Sequence, residues 1–160
     1  MKKVISLTLA LMMGLSLVAC SNSEVTTKEP EMQEEVKEVK SFLEICNLKE
    51  DDFKVVDGVT LANITDLSKS YDVNVYLGTN SFDDYSKYVY AFAEKCKSAS
   101  LDGKLYKDEF DWEDAEINLD PSSILNSCQF LYKVPGHTIY ANIAQTVNED
   151  KRIDVTLFIF

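Results

Sequence analysis

Three segments in the last third of the chain alternate their apolar residues at a period of two, and that period restricts the fold more than any other feature. Cys128, Phe130, Tyr132 and Val134 alternate with Gln129, Leu131 and Lys133, and Pro135-Gly136 then turns the chain. Ile139, Ala141, Ile143 and Val147 alternate next, with Gln145 as a polar break, before Asn148-Glu149-Asp150 turns it again. Ile153, Val155, Leu157 and Ile159 complete the pattern. Successive side chains of a strand point to opposite faces, so each segment collects its aliphatic residues on one side. Short turns between such segments predict a three-stranded antiparallel meander whose aliphatic face needs a cover.

The cover is legible upstream. Ser81 precedes Asp84 by three residues, a variant of the capping box. Phe82, Tyr85, Val89, Phe92, Ala93 and Cys96 then fall on one face of a helix to about Lys97. Met32, Val36, Val39, Leu43 and Cys46, with Phe42 beside them, predict a second amphipathic helix over about 31–47. Val73, Val75 and Leu77 alternate with Asp72, Asn74 and Tyr76 and read as an added strand ending at Gly78. Asp57-Gly58, between Val55-Val56 and Val59-Thr60-Leu61, reads as a hairpin turn. Residues 98–123 read as a long excursion. The expected class is α+β: a C-terminal three-stranded antiparallel meander, with an added strand, packed against one or two amphipathic helices. Leu131, Tyr140, Phe158 and Phe160 are out of phase with the aliphatic face. Either the 31–47 helix covers them, which is the expectation, or they form an exposed interaction patch.

The opening residues read as an address. Lys2 and Lys3 make a positive start, and Val4 to Val18 is apolar apart from Ser6, Thr8, Gly14 and Ser16. At about fifteen residues, that stretch fits a signal peptide and falls short of the roughly 20 that span a bilayer. Leu17-Val18-Ala19-Cys20 follows. This run resembles the lipobox of bacterial lipoproteins, in which a small residue precedes a cysteine. The resemblance implies cleavage between Ala19 and Cys20, diacylglycerol on the Cys20 thiol, and a protein lipid-anchored to a cell membrane and facing outside the cytoplasm. Two acyl chains hold stably where one holds weakly, at roughly 0.8 kcal/mol per buried methylene. The expected organisation is a signal peptide over 1–19, a lipidated cysteine and polar tether over 20–31, and one α+β domain over 32–160. The order of elements resembles small α+β lipoprotein domains of Gram-positive bacteria, a resemblance that carries no site residues.

Charge narrows the partners. The chain has 16 lysines and arginines against 27 acids, a formal net charge of −11. Removing Lys2 and Lys3 leaves 14 against 27, or −13. Such a surface repels nucleic acid, which is excluded as a partner, and anionic headgroups. The expected partners are the membrane, through lipid, and an envelope or extracellular protein. Of four cysteines, Cys20 is assigned to lipid. The odd remainder, Cys46, Cys96 and Cys128, contains no C-x-x-C pair and reads as three reduced, buried thiols, with a Cys96–Cys128 disulfide as the competing arrangement.

No catalytic constellation is visible. His137 is the one histidine and follows a turn. The G-x-S-x-G, H-E-x-x-H, Walker and G-x-G-x-x-G patterns are absent, and five glycines are few for a phosphate-cradling loop. Asp108-Glu109-Phe110-Asp111-Trp112-Glu113-Asp114-Ala115-Glu116 lacks calcium-loop spacing. It reads as a solvated loop pinned by Phe110 and Trp112, so neither metal nor cofactor is expected. Tyrosines on stripes and strands read as packing rather than as sugar-stacking platforms. The expected function is a non-enzymatic binding or accessory module, and the alternative is a carboxylate-dependent envelope hydrolase. The lipobox makes the first testable statement. Metabolic labelling with an alkyne fatty acid should mark the chain and should be lost in Cys20→Ala; label persisting on that variant would refute the assignment.

Overall fold

An alternating strand buries one face only if something covers it, and the arrangement of cover defines this fold. A computed structural model of the chain describes residues 40–79, 81–122, 126–145 and 152–160. Contacts divide the chain into Met1–Lys37, which lies outside the described residues, and Glu38–Phe160, which holds all of them. Five strands are present: β1 (Thr60–Leu67), β2 (Ser70–Tyr76), β3 (Ser127–Val134), β4 (His137–Gln145) and β5 (Arg152–Ile159). They form one sheet in the order β1-β2-β5-β4-β3, with every neighbouring pair antiparallel. The protein is therefore α+β, with five strands in place of the three-plus-one expected.

Registers place Tyr71, Val73, Val75, Ile153, Val155, Leu157, Ile139, Ala141, Ile143, Cys128, Phe130, Tyr132 and Val134 on one buried face. Helix α2 (Phe82–Ala99) covers it, capped by the Ser81 hydroxyl accepting from the Asp84 N–H at 3.2 Å. Its stripe adds Tyr88 and Ala99 to the residues expected from spacing. Buried tyrosines tie the layers together. Tyr85 donates to the Ile143 carbonyl of β4 at 3.0 Å, and Tyr88 donates to the Phe53 carbonyl at 3.1 Å. Tyr132 donates to the Cys46 carbonyl at 3.4 Å. Burial raises the pKa of all three phenols, so they remain neutral donors.

The expected 31–47 helix is corrected. Residues 31–39 lie outside the described residues, and the described helix α1 spans only Phe42–Ile45. Ser41 is extended (φ −63°, ψ 158°) and forms a reciprocal capping box with Glu44, at 2.8 and 3.4 Å, so no helix runs through it. The sequence carries the capping signature Ser41-x-x-Glu44, and in the fold this local device overrides the apolar stripe that crosses it. Segment 42–53 also goes to the inner face, not the outer one. Phe42 stacks on Tyr71 at 6.2 Å, and Phe53, on a 3-10 turn (Glu50–Phe53), lies 5.2 Å from Tyr71 and 5.1 Å from Phe92.

The Asp57-Gly58 expectation is also corrected. Gly58 turns with φ +78°, but Val55 and Val56 form no strand. The hairpin is β1–β2, closing at Ser68-Lys69 between the paired Leu67 and Ser70. At the far edge the excursion straddles β3. Tyr106 exchanges two backbone hydrogen bonds with Leu131, both at 2.8 Å, while Leu105 turns into the core. The expected turn at 148–150 lies outside the described residues.

All three described cysteines are free and buried. Burial pushes the Cys46 thiol up to about 12 and Cys128 to about 11, with Cys96 well above its ordinary value. A thiol whose pKa lies above the medium stays protonated, and the thiolate is the nucleophile. Iodoacetamide at about pH 8 should therefore leave Cys46, Cys96 and Cys128 unlabelled in the folded protein, near the pH at which a free thiol with its pKa around 8.5 reacts. All three should label in denaturant without reductant. Peptide mass spectrometry checks this, and one label rising to three only on reduction would reveal a disulfide.

Candidate functional site

The outer face of the sheet is the candidate. Cross-strand pairing builds a row across every strand: Leu67 opposite Ser70, Ser70 opposite Phe158, Phe158 opposite Tyr140, and Tyr140 opposite Leu131. Tyr106 extends the row beyond Leu131. Residues directly opposite in a ladder share a face, so these side chains lie side by side. The Tyr140 ring lies 6.2 Å from Phe158 and 6.2 Å from Phe160, whose N–H donates to the Thr138 carbonyl at 2.9 Å. Phe158 is 43% exposed and Phe160 63%.

Of the four residues predicted as a patch, the structure brings Tyr140, Phe158 and Phe160 together at the surface. Leu131 stands in the same row but is buried, a correction whose cause is the strand-like pairing of Tyr106 beside it. Among the described residues no helix covers the patch, because α1 and the 3-10 turn are used on the inner face. Leu67 and Tyr106 were missed, while Trp112 was expected as a pin of the acidic loop but not beside the row. Leu67 sits on a strand with no apolar alternation, and Tyr106 lies in the excursion, where no period marks it.

A clasp closes the β3 end of the row. Trp112 meets Tyr106 edge-on at 5.0 Å, and the Lys133 ammonium lies 4.3 Å from the Tyr106 ring centre and 4.6 Å from that of Trp112. Lys133 also approaches Asp102 at 3.8 Å and the Tyr106 hydroxyl at 3.2 Å, and that hydroxyl donates to Asp102. The expectation that Phe110 pins this loop is corrected: it is 87% exposed, and the pin is Trp112 under Lys133.

Next to the aromatic row runs a polar one, in which Thr65 pairs with Asp72, Asp72 with Thr156, Thr156 with Asn142, and Asn142 with Gln129. Beyond it, Asn63 donates to Asn74 at 2.8 Å and Asn74 to Asp154 at 2.6 Å. Arg152 Nε sits 2.9 Å from the Asp154 carboxylate; the pair is ionic by distance, because its angle does not meet hydrogen-bond geometry.

His137 lies elsewhere, exposed on a cleft of about 440 Å³ lined also by Lys40, Glu44, Asn47, Ser100 and Pro135. Its one carboxylate, Glu44, is engaged in the α1 capping box. Among the described residues the carboxyls whose pKa moves are lowered: Asp51 by Lys54, Asp84 by Ser81, Asp102 by Tyr106 and Asp120 by Ser122. A general acid needs the opposite shift. Among the described residues no three histidine, cysteine or acidic side chains group as metal ligands, and no helix is long and apolar enough to cross a membrane. No family model matches this chain, and no curated protein or solved structure matches it.

The clasp predicts an acid response. Hydrogen bonding from Tyr106, then from Ser100 and the Lys104 N–H, with the Lys133 charge, holds the Asp102 carboxyl below its ordinary 3.8. A group depressed in the folded state contributes stability above its unfolded value and loses it as pH falls through the folded one. Trp112 is the one tryptophan, so its emission should shift as pH falls below 3.8. Asp102→Asn should show the released emission already at neutral pH; emission indistinguishable from the parent across the range would count against the clasp.

Proposed function

We propose that this chain is an exported lipoprotein, held by a diacylglyceryl Cys20 at the outer face of a cell membrane. Its described domain acts as a non-enzymatic binding or accessory module. The lipobox-like Leu17-Val18-Ala19-Cys20 supports the address. One observation carries the binding role: a single sheet has a filled core on one side and, on the other, an aromatic row that no helix among the described residues covers. Contiguous exposed apolar side chains rimmed by polar residues are a mark of interaction surfaces. Tyr140, Phe158 and Phe160 meet that description, flanked by the Asp72, Thr156 and Asn142 row.

The test is contact in the living cell. A photo-crosslinking benzoylphenylalanine placed at Phe160 should give one discrete adduct on illumination. The same residue at Tyr90, 44% exposed on the solvent side of α2, should give none. No adduct at Phe160, or equal adducts at both sites, would remove the basis for a binding role.

A further inference from the structure

We propose that Asp57-Gly58 is a site of spontaneous isoaspartate formation, and that the clasp around Asp102 protects the chemically identical Asp102-Gly103 from the same change. Two of the five glycines follow an aspartate. In such a pair the glycine amide nitrogen lies next to the aspartate carboxyl, and the glycine has no Cβ to obstruct a close approach. The nitrogen attacks the aspartate Cγ and forms an N–Cγ bond. The carboxyl's hydroxyl departs with the amide proton as water, leaving a five-membered succinimide. Water then opens the ring. Breaking the N–Cγ bond restores aspartate. Breaking the bond from nitrogen to the main-chain carbonyl carbon leaves isoaspartate, with the backbone rerouted through Cβ and Cγ. Water is the only co-reactant, and nothing is oxidised or reduced.

Space and exposure do not separate the two pairs. All four residues are exposed, both glycines take a left-handed φ (78° at Gly58 and 68° at Gly103), and nothing lies within 4 Å of where either would carry a Cβ. Partners separate them. Asp102 Oδ1 accepts from the Ser100 hydroxyl at 2.9 Å and from the Lys104 N–H at 3.3 Å. Asp102 Oδ2 accepts from the Tyr106 hydroxyl and lies 3.8 Å from the Lys133 ammonium. The attacking atom is engaged as well, because the Gly103 N–H donates to the Ser100 carbonyl at 3.3 Å. Both carboxyl oxygens are held in place, and their donors favour the ionised form, which has no hydroxyl to shed. At the other turn, among the described residues, neither the Asp57 carboxyl nor the Gly58 N–H has a hydrogen-bond partner, and no cation pairs with Asp57. The consequences differ too. Residue 57 lies ahead of β1, a strand exposed over most of its length, so an added backbone atom is absorbed there. Residue 102 leads from α2 toward Tyr106, whose two hydrogen bonds with Leu131 fix the excursion to β3. An added backbone atom there would displace Tyr106 and uncover Leu131.

The test is an ageing experiment on the full chain in detergent, held at neutral pH in heavy-oxygen water and digested afterwards in ordinary water. Tryptic peptides 55–69 and 98–104 carry the two aspartates separately. Each passage through the succinimide leaves one heavy oxygen, and electron-transfer fragmentation distinguishes isoaspartate from aspartate. In the folded chain Asp57 should convert faster than Asp102 by about tenfold or more, since hydrogen bonds to a charged group must break first at Asp102. In urea the two rates should converge. Ser100→Ala with Tyr106→Phe should raise the Asp102 rate and leave the Asp57 rate unchanged. If circular dichroism shows that variant unfolded, Ser100→Ala alone decides, by whether Asp102 accelerates. Equal rates in the folded chain would overturn the proposal, as would conversion of Asp57 in urea only. A difference that persists in urea would belong to the flanking residues and would overturn the protective role, as would an Asp102 rate that neither variant moves.

Discussion

Width governs this structure. Five antiparallel strands at about 4.8 Å present a face about 19 Å across, whereas one α-helix with its side chains covers roughly 10 Å. Helix α2 cannot shield the inner face alone. The remainder falls to whatever apolar groups the chain can bring, and it brings Phe42, Leu48 and Phe53 from one flank and Leu105 from the other. Each fully buried side chain of this size contributes about 1.5–3 kcal/mol relative to exposure. Satisfying the inner face therefore outweighs covering three aromatic rings outside. Among the described residues the outer row has no such cover, because Phe42, Leu48 and Phe53 are used on the inner face.

The cover is fastened by hydroxyls as well as by rings. Tyr85, Tyr88 and Tyr132 bury large side chains, and each carries one polar atom that needs a partner in the interior. Each finds a carbonyl on a different element: β4, the 3-10 turn and the end of α1. A hydroxyl left unmatched there would cost about 1–3 kcal/mol, so these contacts discriminate against alternative placements of the covering segments. The same logic explains why segment 42–53, though nearly devoid of regular helix, has a defined position. The Lys95–Asp52 ion pair at 3.1 Å adds a surface tie between α2 and the 3-10 turn.

What the sequence made legible was what had a period. Ile139, Ala141 and Ile143, and Ile153, Val155 and Leu157, alternate because one face of β4 and β5 is wholly buried. Ser81 announced α2 because a cap is a local device. β1 was not legible: Thr60–Leu67 is exposed over most of its length, so no face imposes alternation, and Ser68-Lys69 closes its hairpin without glycine or asparagine. The stripe through Phe42, Leu43 and Cys46 was real, but a capping box broke the helix it implied. All four patch residues were readable as out-of-phase apolar groups. The burial of Leu131 was not, because it depends on pairing with Tyr106, 25 residues away in sequence.

The two sheet edges have different fates. β3 is closed by Tyr106. Among the described residues nothing pairs with the outer side of β1, yet its ladder slips between Ala62 and Thr65, where Asn63 takes a left-handed φ of 50°. A bulged, solvent-facing edge is a poor template for another strand. Growth of the sheet from molecule to molecule is therefore disfavoured at the β1 edge, and the Tyr106 bridge interrupts the β3 edge at Leu131. What the sheet leaves for association is a face, and an isologous contact through one face closes at a finite stoichiometry instead of propagating into a fibre.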